Sequence, residues 1–305
     1  MKNKWMADIG LLFIAFIWGS TFVVVQDAVE KIPPLAFNGY RFFIGALVLI
    51  IVFVVMPKKE NTNFNLGLIL NGVFLGLLLF IGYSTQTIAL LYTTSSKAAF
   101  ITGLSVVLVP LLTWLILKQK PKKSALIGVM IATIGLYLLT ALHSLSLNKG
   151  DGLALACAFA FGFHIIVTAK VTHKYSSVLL TIIQLTTVAV LSIISGIGLD
   201  GVKKTINLAS ILTHGDVIFA CLFTALFATA AAFLMQTSLQ RFTEPTHVGI
   251  IFIMEPVFAA ITAAIFTNET MTGAAKLGAL LILVGMLSAE LPMKHKKEKH
   301  SQPIG

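Results

Sequence analysis

Charged residues are scarce in this chain. Asp, Glu, Lys and Arg make up only 11% of its 305 residues, while 57% are hydrophobic. A soluble domain of ordinary composition carries about 25% charged residues. So few charges cannot cover a surface that faces water, which excludes a soluble globular protein. Acidic residues are the rarer sign, with 12 Asp and Glu against 22 Lys and Arg.

Cysteines and catalytic motifs are also scarce. Cys157 and Cys221 both lie inside apolar segments, and neither has a second cysteine or a metal-ligand spacing beside it, so we interpret both as packing residues. The sequence has no phosphate-binding G-x-x-x-x-G-K-[ST] pattern, no zinc spacing and no nucleophile elbow. We therefore predict that the protein is not an enzyme, contains no cofactor or metal centre, and is not an ATP-driven pump.

What the chain does contain is long apolar runs, separated by short polar breaks. Many approach the roughly 20 residues that a helix needs to cross a hydrocarbon core. The runs lack the alternation of barrel strands, and backbone groups in lipid must be satisfied internally, so the spans should be helices. We predict an all-α membrane protein with ten transmembrane helices, at residues 9–26, 36–55, 66–91, 98–117, 124–142, 152–171, 178–199, 216–239, 246–266 and 273–291.

The positions of Lys and Arg predict the orientation. Ten spans place both termini on one side of the membrane, and cytoplasmic loops carry the excess of positive charge. With cytoplasmic termini, fifteen basic residues fall in inner loops and five in outer loops. The inner ones are Lys2, Lys4, Lys58, Lys59, Lys118, Lys120, Lys122, Lys123, Lys170, Lys174, Arg241, Lys294, Lys296, Lys297 and Lys299, and the outer ones are Lys31, Lys97, Lys149, Lys203 and Lys204.

This bias predicts a multi-pass protein of the bacterial cytoplasmic membrane with both termini inside. Because the positive charges are explained by the loops, a nucleic-acid partner is not expected. The basic segment 292–305 is expected to face lipid headgroups from the cytoplasm. We interpret the apolar run after Lys2 and Lys4 as an uncleaved first helix, because no convincing small-residue cleavage site follows it.

The second half of the sequence echoes the first. Two offsets align them, 150 residues for the later helices of each half and 143 for the earlier ones. The matched pairs are Gln86 and Gln236, Thr93 and Thr243, Gly128 and Gly278, Gly135 and Gly285, Asp8 and Asp151, and Gly19 and Gly162. We predict two five-helix repeats, 1–142 and 143–291. An odd number of spans turns the second repeat upside down, and such folds bind substrate between the halves.

Four strings carry a family resemblance: W-G-S-T-F at 18–22, R-F-F-I-G-A at 41–46, Y-T-T-S-S-K-A-A-F-I-T-G-L at 92–104 and M-E-P-V-F-A-A at 254–260. Together they resemble the EamA-type transporters of the drug/metabolite transporter superfamily. The resemblance implies a ten-helix inverted repeat that exports amino acids, related metabolites or drugs, often driven by the proton gradient. One departure is that Val109-Pro110 stands where the second half has Glu255-Pro256, at an offset of 146.

Two ionisable residues inside the predicted spans are candidates for function, because a charge at the centre of a helix costs about 2.5–3.5 kcal/mol on insertion scales. Glu255 lies near mid-depth, where low dielectric favours the protonated carboxyl, and is the candidate for proton coupling or for binding a cationic group. A structural role beside Pro256 is the alternative. Arg41 lies near the outer end of its helix and is expected either to snorkel to the headgroups or to clamp a substrate carboxylate. Pairing of Arg41 with Glu255 would be strained.

Neutral polar and aromatic residues on several spans are candidates for lining a cavity. They are Gln86, Gln236, Trp18, Thr21, Asn38, Tyr83, His164 and Gln184. Hydrogen bonding between helices is the alternative for each, and a packing role is the alternative for His164 and for His247. Pro110 and Pro256 are expected to kink their helices.

These residues predict a secondary active transporter for a small-molecule substrate, with export by alternating access and proton exchange as the preferred mechanism. Nutrient uptake by the same fold, a lipid-modifying membrane enzyme and a membrane scaffold are the alternatives. No cluster of acids, histidines or metal ligands favours the enzyme. The substrate, the direction, the coupling ion and the oligomeric state are left open.

Overall fold

The computed structural model describes residues 2–55, 64–140, 148–207, 213–266 and 272–290. Its helices are α1 (Lys2–Val29), α2 (Pro34–Val55), α3 (Leu66–Ala89), α4 (Ser95–Gly103), α5 (Ser105–Leu117), α6 (Lys123–Thr140), α7 (Lys149–Val171), α8 (Ser177–Asp200), α9 (Val202–Thr205), α10 (Gly215–Phe223), α11 (Ala232–Leu239), α12 (Pro245–Phe252), α13 (Met254–Phe266) and α14 (Gly273–Glu290). A π-helix, Thr224–Ala231, joins α10 to α11, and a 3₁₀ turn, Gln240–Phe242, follows α11.

The described helices have the solvent preference of a membrane protein. Eight helical segments in these ranges are long and apolar enough to cross a membrane, and Lys123–Leu139 and Gly273–Ala289 are shorter apolar helices. Large apolar side chains such as Leu199 and Phe266 are more than 70% exposed on the outside, whereas polar Gln184 is fully buried. A surface of this kind is stable in lipid and not in water.

Helix boundaries differ from the prediction in two ways. First, α1 begins at Lys2 rather than at residue 9, because its polar first turns continue the helix beyond the apolar run. Second, two predicted helices are each divided: segment 98–117 is interrupted at Leu104 and segment 246–266 at Ile253. The predicted tail at 292–305 lies outside the described residues.

The two prolines stand differently relative to the helix interruptions. The interruption at Ile253 follows Phe252, whose carbonyl is the one that the ring of Pro256 would meet in a regular helix. By contrast, α5 continues through Pro110, and its interruption lies six residues earlier, at Leu104.

Glycines allow the backbones of α6 and α14 to touch. A Cβ on Gly128 would lie 2.5 Å from the carbonyl oxygen of Gly285, and one on Gly135 would lie 2.6 Å from that of Gly278. Small residues permit such close crossings in membrane bundles. Because residue numbers rise along α6 as they fall along α14, the two helices are antiparallel. These are the glycines that the 150-residue offset pairs.

The long helices also pack along their length in related pairs. α1 runs parallel to α12 and α13: Thr243, just before α12, contacts Asp8, and Thr262 contacts Ser20. α7 runs in the same way beside α4 and α5, where Thr102 donates to the Sγ of Cys157. Both divided helices are therefore held against a continuous helix, with their interruptions facing the middle of the bundle.

Candidate substrate-binding cavity

A cavity lies beside the two helix interruptions. About 580 Å³ is free of protein atoms, and the lining includes Gly103 and Ser105 on either side of Leu104, and Phe252 and Glu255 on either side of Ile253. A second cavity of about 340 Å³ adjoins it and shares part of this wall. The residues that line both are Trp18, Tyr83, Gln86 and Glu255. Residues from both sequence halves line the larger space.

Aromatic rings form most of the apolar wall. The ring centre of Tyr83 is 5.1 Å from that of Phe161 and 5.8 Å from that of Phe233, and Trp18 is 5.1 Å from Phe252. Sequence reasoning missed the three phenylalanines. The repeat offsets could have indicated two of them as equivalents of predicted cavity residues, since Phe161 follows Trp18 by 143 residues and Phe233 follows Tyr83 by 150.

Arg41 points into the bundle rather than to the headgroups. Only 3% of the residue is exposed. Its Nε donates to the hydroxyl of Thr229 at 2.7 Å, a terminal nitrogen donates to the carbonyl of Ala228 at 3.3 Å, and the guanidinium carbon lies 5.0 Å from the Tyr83 ring centre. The snorkelling expectation is therefore wrong. A buried guanidinium is tolerated here because hydrogen-bond acceptors and a ring face surround it.

The π-helix supplies one of these acceptors. In an α-helix the N–H of Ala232 would bond to the carbonyl of Ala228, but here it donates to Phe227. The carbonyl of Ala228 instead accepts from Arg41 and, at 2.8 Å, from Nε1 of Trp18. π-Helical turns often mark functional sites. In this one, the carbonyl of Ala228 helps to position both Trp18 and Arg41.

Glu255 lies in the first turn of α13, at the helix interruption, and lines both cavities. Among the described residues it makes no hydrogen bond and no ion pair. Its main chain packs tightly on Gly19 of α1. Arg41 also lines the smaller cavity but forms no ion pair with Glu255 in the described structure. A basic group and a carboxyl group thus share one small space without neutralising each other.

The structure divides the other predicted residues into two groups. Gln86, Gln236 and His164 line the larger cavity, and Thr21 lines the smaller one. Asn38 and Gln184 lie behind the wall.

Both residues behind the wall support residues in it. The amide of Asn38 donates to the carbonyl of Tyr83 at 3.2 Å, and Gln184 Oε1 accepts from His164 at 2.8 Å. In the wall itself, the side-chain oxygen of Gln236 is buried without a hydrogen-bond partner in the described structure. An orphaned acceptor at a cavity wall can be satisfied by a ligand.

The divided helices also refine the repeat alignment. The interruptions at Leu104 and Ile253 differ by 149 residues, close to the 150 of the glycine pairs, whereas the sequence analysis matched Val109 to Glu255 at 146. At an offset of 150 the counterpart of Glu255 is Ser105, and both line the larger cavity. Of these two equivalent positions, only the one in the second half carries a carboxyl group.

A helical bundle with an apolar exterior, enclosing an aromatic cavity with a few inward polar groups, defines a membrane transporter. The model of the EamA-like transporter family matches the chain twice, at residues 5–141 and 148–289. The chain belongs to this family.

Relatives support the same class. An uncharacterized transporter of Archaeoglobus fulgidus is 34% identical over 285 residues, which cover 93% of this chain and 86% of that protein. The uncharacterized transporter YvbV of Bacillus subtilis is 26% identical over 94% of this chain and 92% of its own length. A protein of Salmonella typhimurium named a probable amino-acid metabolite efflux pump is 26% identical over 90% of this chain and 91% of its own length.

A solved crystal structure shares the fold. It has a TM-score of 0.75 and 16% sequence identity, and the match covers 94% of this chain and 97% of that chain.

Proposed function

We propose that this protein is a secondary active transporter of the bacterial cytoplasmic membrane that exports a small zwitterionic metabolite, an amino acid or a related compound, in exchange for protons. The observation that carries the proposal is the pair of opposite groups in one cavity region. Arg41 presents a fixed cation and Glu255 an unpaired carboxyl group, and both line the smaller space.

The two groups match the two ends of a zwitterion. A guanidinium recognises a carboxylate through directional hydrogen bonds, and a carboxylate recognises an ammonium group. The aromatic wall of the adjoining cavity receives the apolar part of the substrate. When the substrate leaves, protonation of Glu255 replaces the lost ammonium charge, which couples substrate movement to proton movement.

The helix arrangement supports alternating access between inverted halves of five helices each. α6 and α14, which occupy equivalent places in the repeats, cross in antiparallel fashion at matched glycines. α2 and α8, the next equivalent pair, are antiparallel as well, with Gly39 on Ile193 and Leu35 on Gly196. A two-fold axis that relates antiparallel helices lies across them, in the plane of the membrane, and this is the axis of an inverted repeat.

Matched ligands test the proposal. Purified protein is heated in detergent with an amino acid, the amine that lacks its carboxyl group, and the acid that lacks its amino group. A series that covers apolar and aromatic side chains identifies the best binder. We expect the zwitterion to raise the melting temperature more than either partner, because a ligand stabilises the state it binds.

The Arg41→Gln variant is the matched control, and it should lose the advantage of carboxylated ligands. Equal stabilisation by the three compounds, or an unchanged response in Arg41→Gln, would contradict the proposed site. An efflux and toxicity screen of metabolites, in cells that lack or overproduce the protein, tests export against uptake.

A further inference from the structure

Two clusters related by the repeat hold the starts of the divided helices. In one, Lys97 Nζ lies 2.8 Å from Asp151 Oδ2, and the hydroxyl of Thr93 lies 3.4 Å from Oδ1. This cluster fastens the N-terminal end of α4 to α7. Asp151 also completes a capping box with Asn148 at the start of α7, so its position is fixed from two directions.

The other cluster has the same design. Thr243 donates to Asp8 Oδ1 at 2.8 Å, and His247 Nε2 lies 3.4 Å from the same oxygen. It fastens the start of α12 to α1. The offsets relate every member: Asp8 to Asp151 by 143, and Thr243 to Thr93 and His247 to Lys97 by 150. The cation differs, since an imidazole stands in place of an ammonium group, and the capping residue Asn148 corresponds to Trp5.

The clusters lie at opposite ends of the bundle. Asp8 is near the beginning of α1, whereas Ala28 near its end packs in one hydrophobic cluster with Ala98, the neighbour of Lys97. The twenty residues from Asp8 to Ala28 span about 30 Å at 1.5 Å per residue. One cluster therefore lies at each end of the helices that border the cavity.

We propose that Asp8, Thr243 and His247 form a proton-binding latch that holds α12 against α1 when His247 is protonated and releases it when His247 is neutral. The Lys97–Asp151 cluster is its pH-independent counterpart at the other end. Imidazole changes charge between about pH 5 and pH 8, and an ammonium group does not. Released at its start, α12 pivots about the interruption at Ile253, next to Glu255.

Charged residues on several elements of the described structure flank the latch. Asp8 faces it from α1 with 13% of its side chain exposed. Glu244, three residues before it in sequence, is paired with Lys122 at 2.8 Å. Arg241, just before α12, donates to Ser177. Lys4 lies one turn before Asp8 on α1 and is exposed. Asp8 is the carboxylate within ion-pair distance of the imidazole, and the proton on the imidazole switches their attraction.

Hydrogen–deuterium exchange of the purified protein tests the latch. Wild type and His247→Lys are compared at the same pH, so that intrinsic exchange rates cancel. At about pH 6 residues 243–252 should exchange alike in both. At about pH 8 they should exchange about threefold to tenfold faster in wild type, because local opening follows the lost ion pair. Residues 93–103 in the same digests are the internal control and should not differ.

Two further variants keep the test decisive if His247→Lys folds poorly. His247→Gln should exchange quickly at both pH values, like wild type at about pH 8. Asp8→Asn should also exchange quickly at both pH values. In the Asp8→Asn background, histidine and lysine at position 247 should give the same exchange rate. A ratio of wild-type to His247→Lys exchange rates that does not change with pH would overturn the latch. So would a His247→Gln variant that exchanges at the wild-type rate at both pH values.

The latch rests on the proposed transport for its purpose, but the exchange experiment requires no substrate. If the ratio of wild-type to His247→Lys exchange rates is the same at both pH values in a protein that transports, the latch alone is rejected. The expected exchange pattern in a protein without flux would reject the transport proposal alone.

Discussion

The two halves of the molecule share a scaffold but not the charged groups of the cavity region. Matched glycines cross at the contact of α6 with α14, and both divided helices are interrupted at equivalent places. At the cavity region, however, Arg41 in the first half corresponds to Gln184 in the second, and Glu255 in the second corresponds to Ser105 in the first. Packing is duplicated, whereas each charged group occurs once. A symmetric scaffold can rock between two states, and asymmetric charges give a substrate one orientation within it.

The largest expected effect comes from the Arg41 position. Arg41→Gln should weaken binding of the best carboxylated ligand roughly tenfold to a hundredfold, because a charge-assisted hydrogen bond is lost. Gln184→Ala, the change at the equivalent position, removes a residue behind the wall and should cost much less. Titration of both variants by thermal shift or calorimetry makes the comparison. Equal losses would show that the halves bind substrate symmetrically.

Glu255 gives the next effect. Glu255→Gln keeps the shape but cannot exchange a proton, so transport should lose its response to an imposed pH gradient. Ser105→Ala, at the equivalent position, should leave the response within about twofold of wild type, as expected for loss of one neutral group. Flux into or out of reconstituted vesicles, with and without the gradient, measures both. A pH response that survives Glu255→Gln would make this residue structural.

The shared scaffold is tested last, by stability rather than by binding or transport. Gly135→Ala and Gly285→Ala should each destabilise the protein by about 1–3 kcal/mol, since the added methyl group overpacks the crossing of α6 with α14. Gly152→Ala is the matched control, because its Cβ meets nothing within 4 Å. Melting temperatures measured in one detergent rank the three variants by stability. A clear difference between the Gly135 and Gly285 variants would break the symmetry of the scaffold.

Much of the fold followed from sequence because apolar length and small-residue offsets are local signals. Each predicted span overlaps a described helix, and the paired glycines meet in space. The interruption at Leu104 and the π-helix did not follow, since both depend on how neighbouring helices approach. For Arg41 the sequence left two directions open, outward to the headgroups or inward to a substrate. The depth of Arg41 along α2 favours snorkelling, whereas the Thr229 hydroxyl, the Ala228 carbonyl and the Tyr83 ring, all distant in sequence, hold the guanidinium inside.

Among the candidate site residues, the glutamines and Glu255 are the kind of polar groups that stand out in an apolar sequence. Phenylalanines do not stand out there, so Phe161, Phe233 and Phe252 gave no signal of their own. The pairing of Asp8 with Asp151 was visible as an offset, but its partners were not. Thr243 and His247 are far from Asp8 in sequence, and only the parallel packing of α1 with α12 brings them together.

The most direct test of the account is flux of the best-binding zwitterion from vesicles that contain the purified protein, with an imposed pH gradient. The account predicts saturable, gradient-accelerated flux in wild type and, at a concentration well below saturation, flux roughly tenfold to a hundredfold slower in Arg41→Gln. Wild-type protein that binds the compound but releases it from vesicles no faster than protein-free membranes would contradict the transporter mechanism.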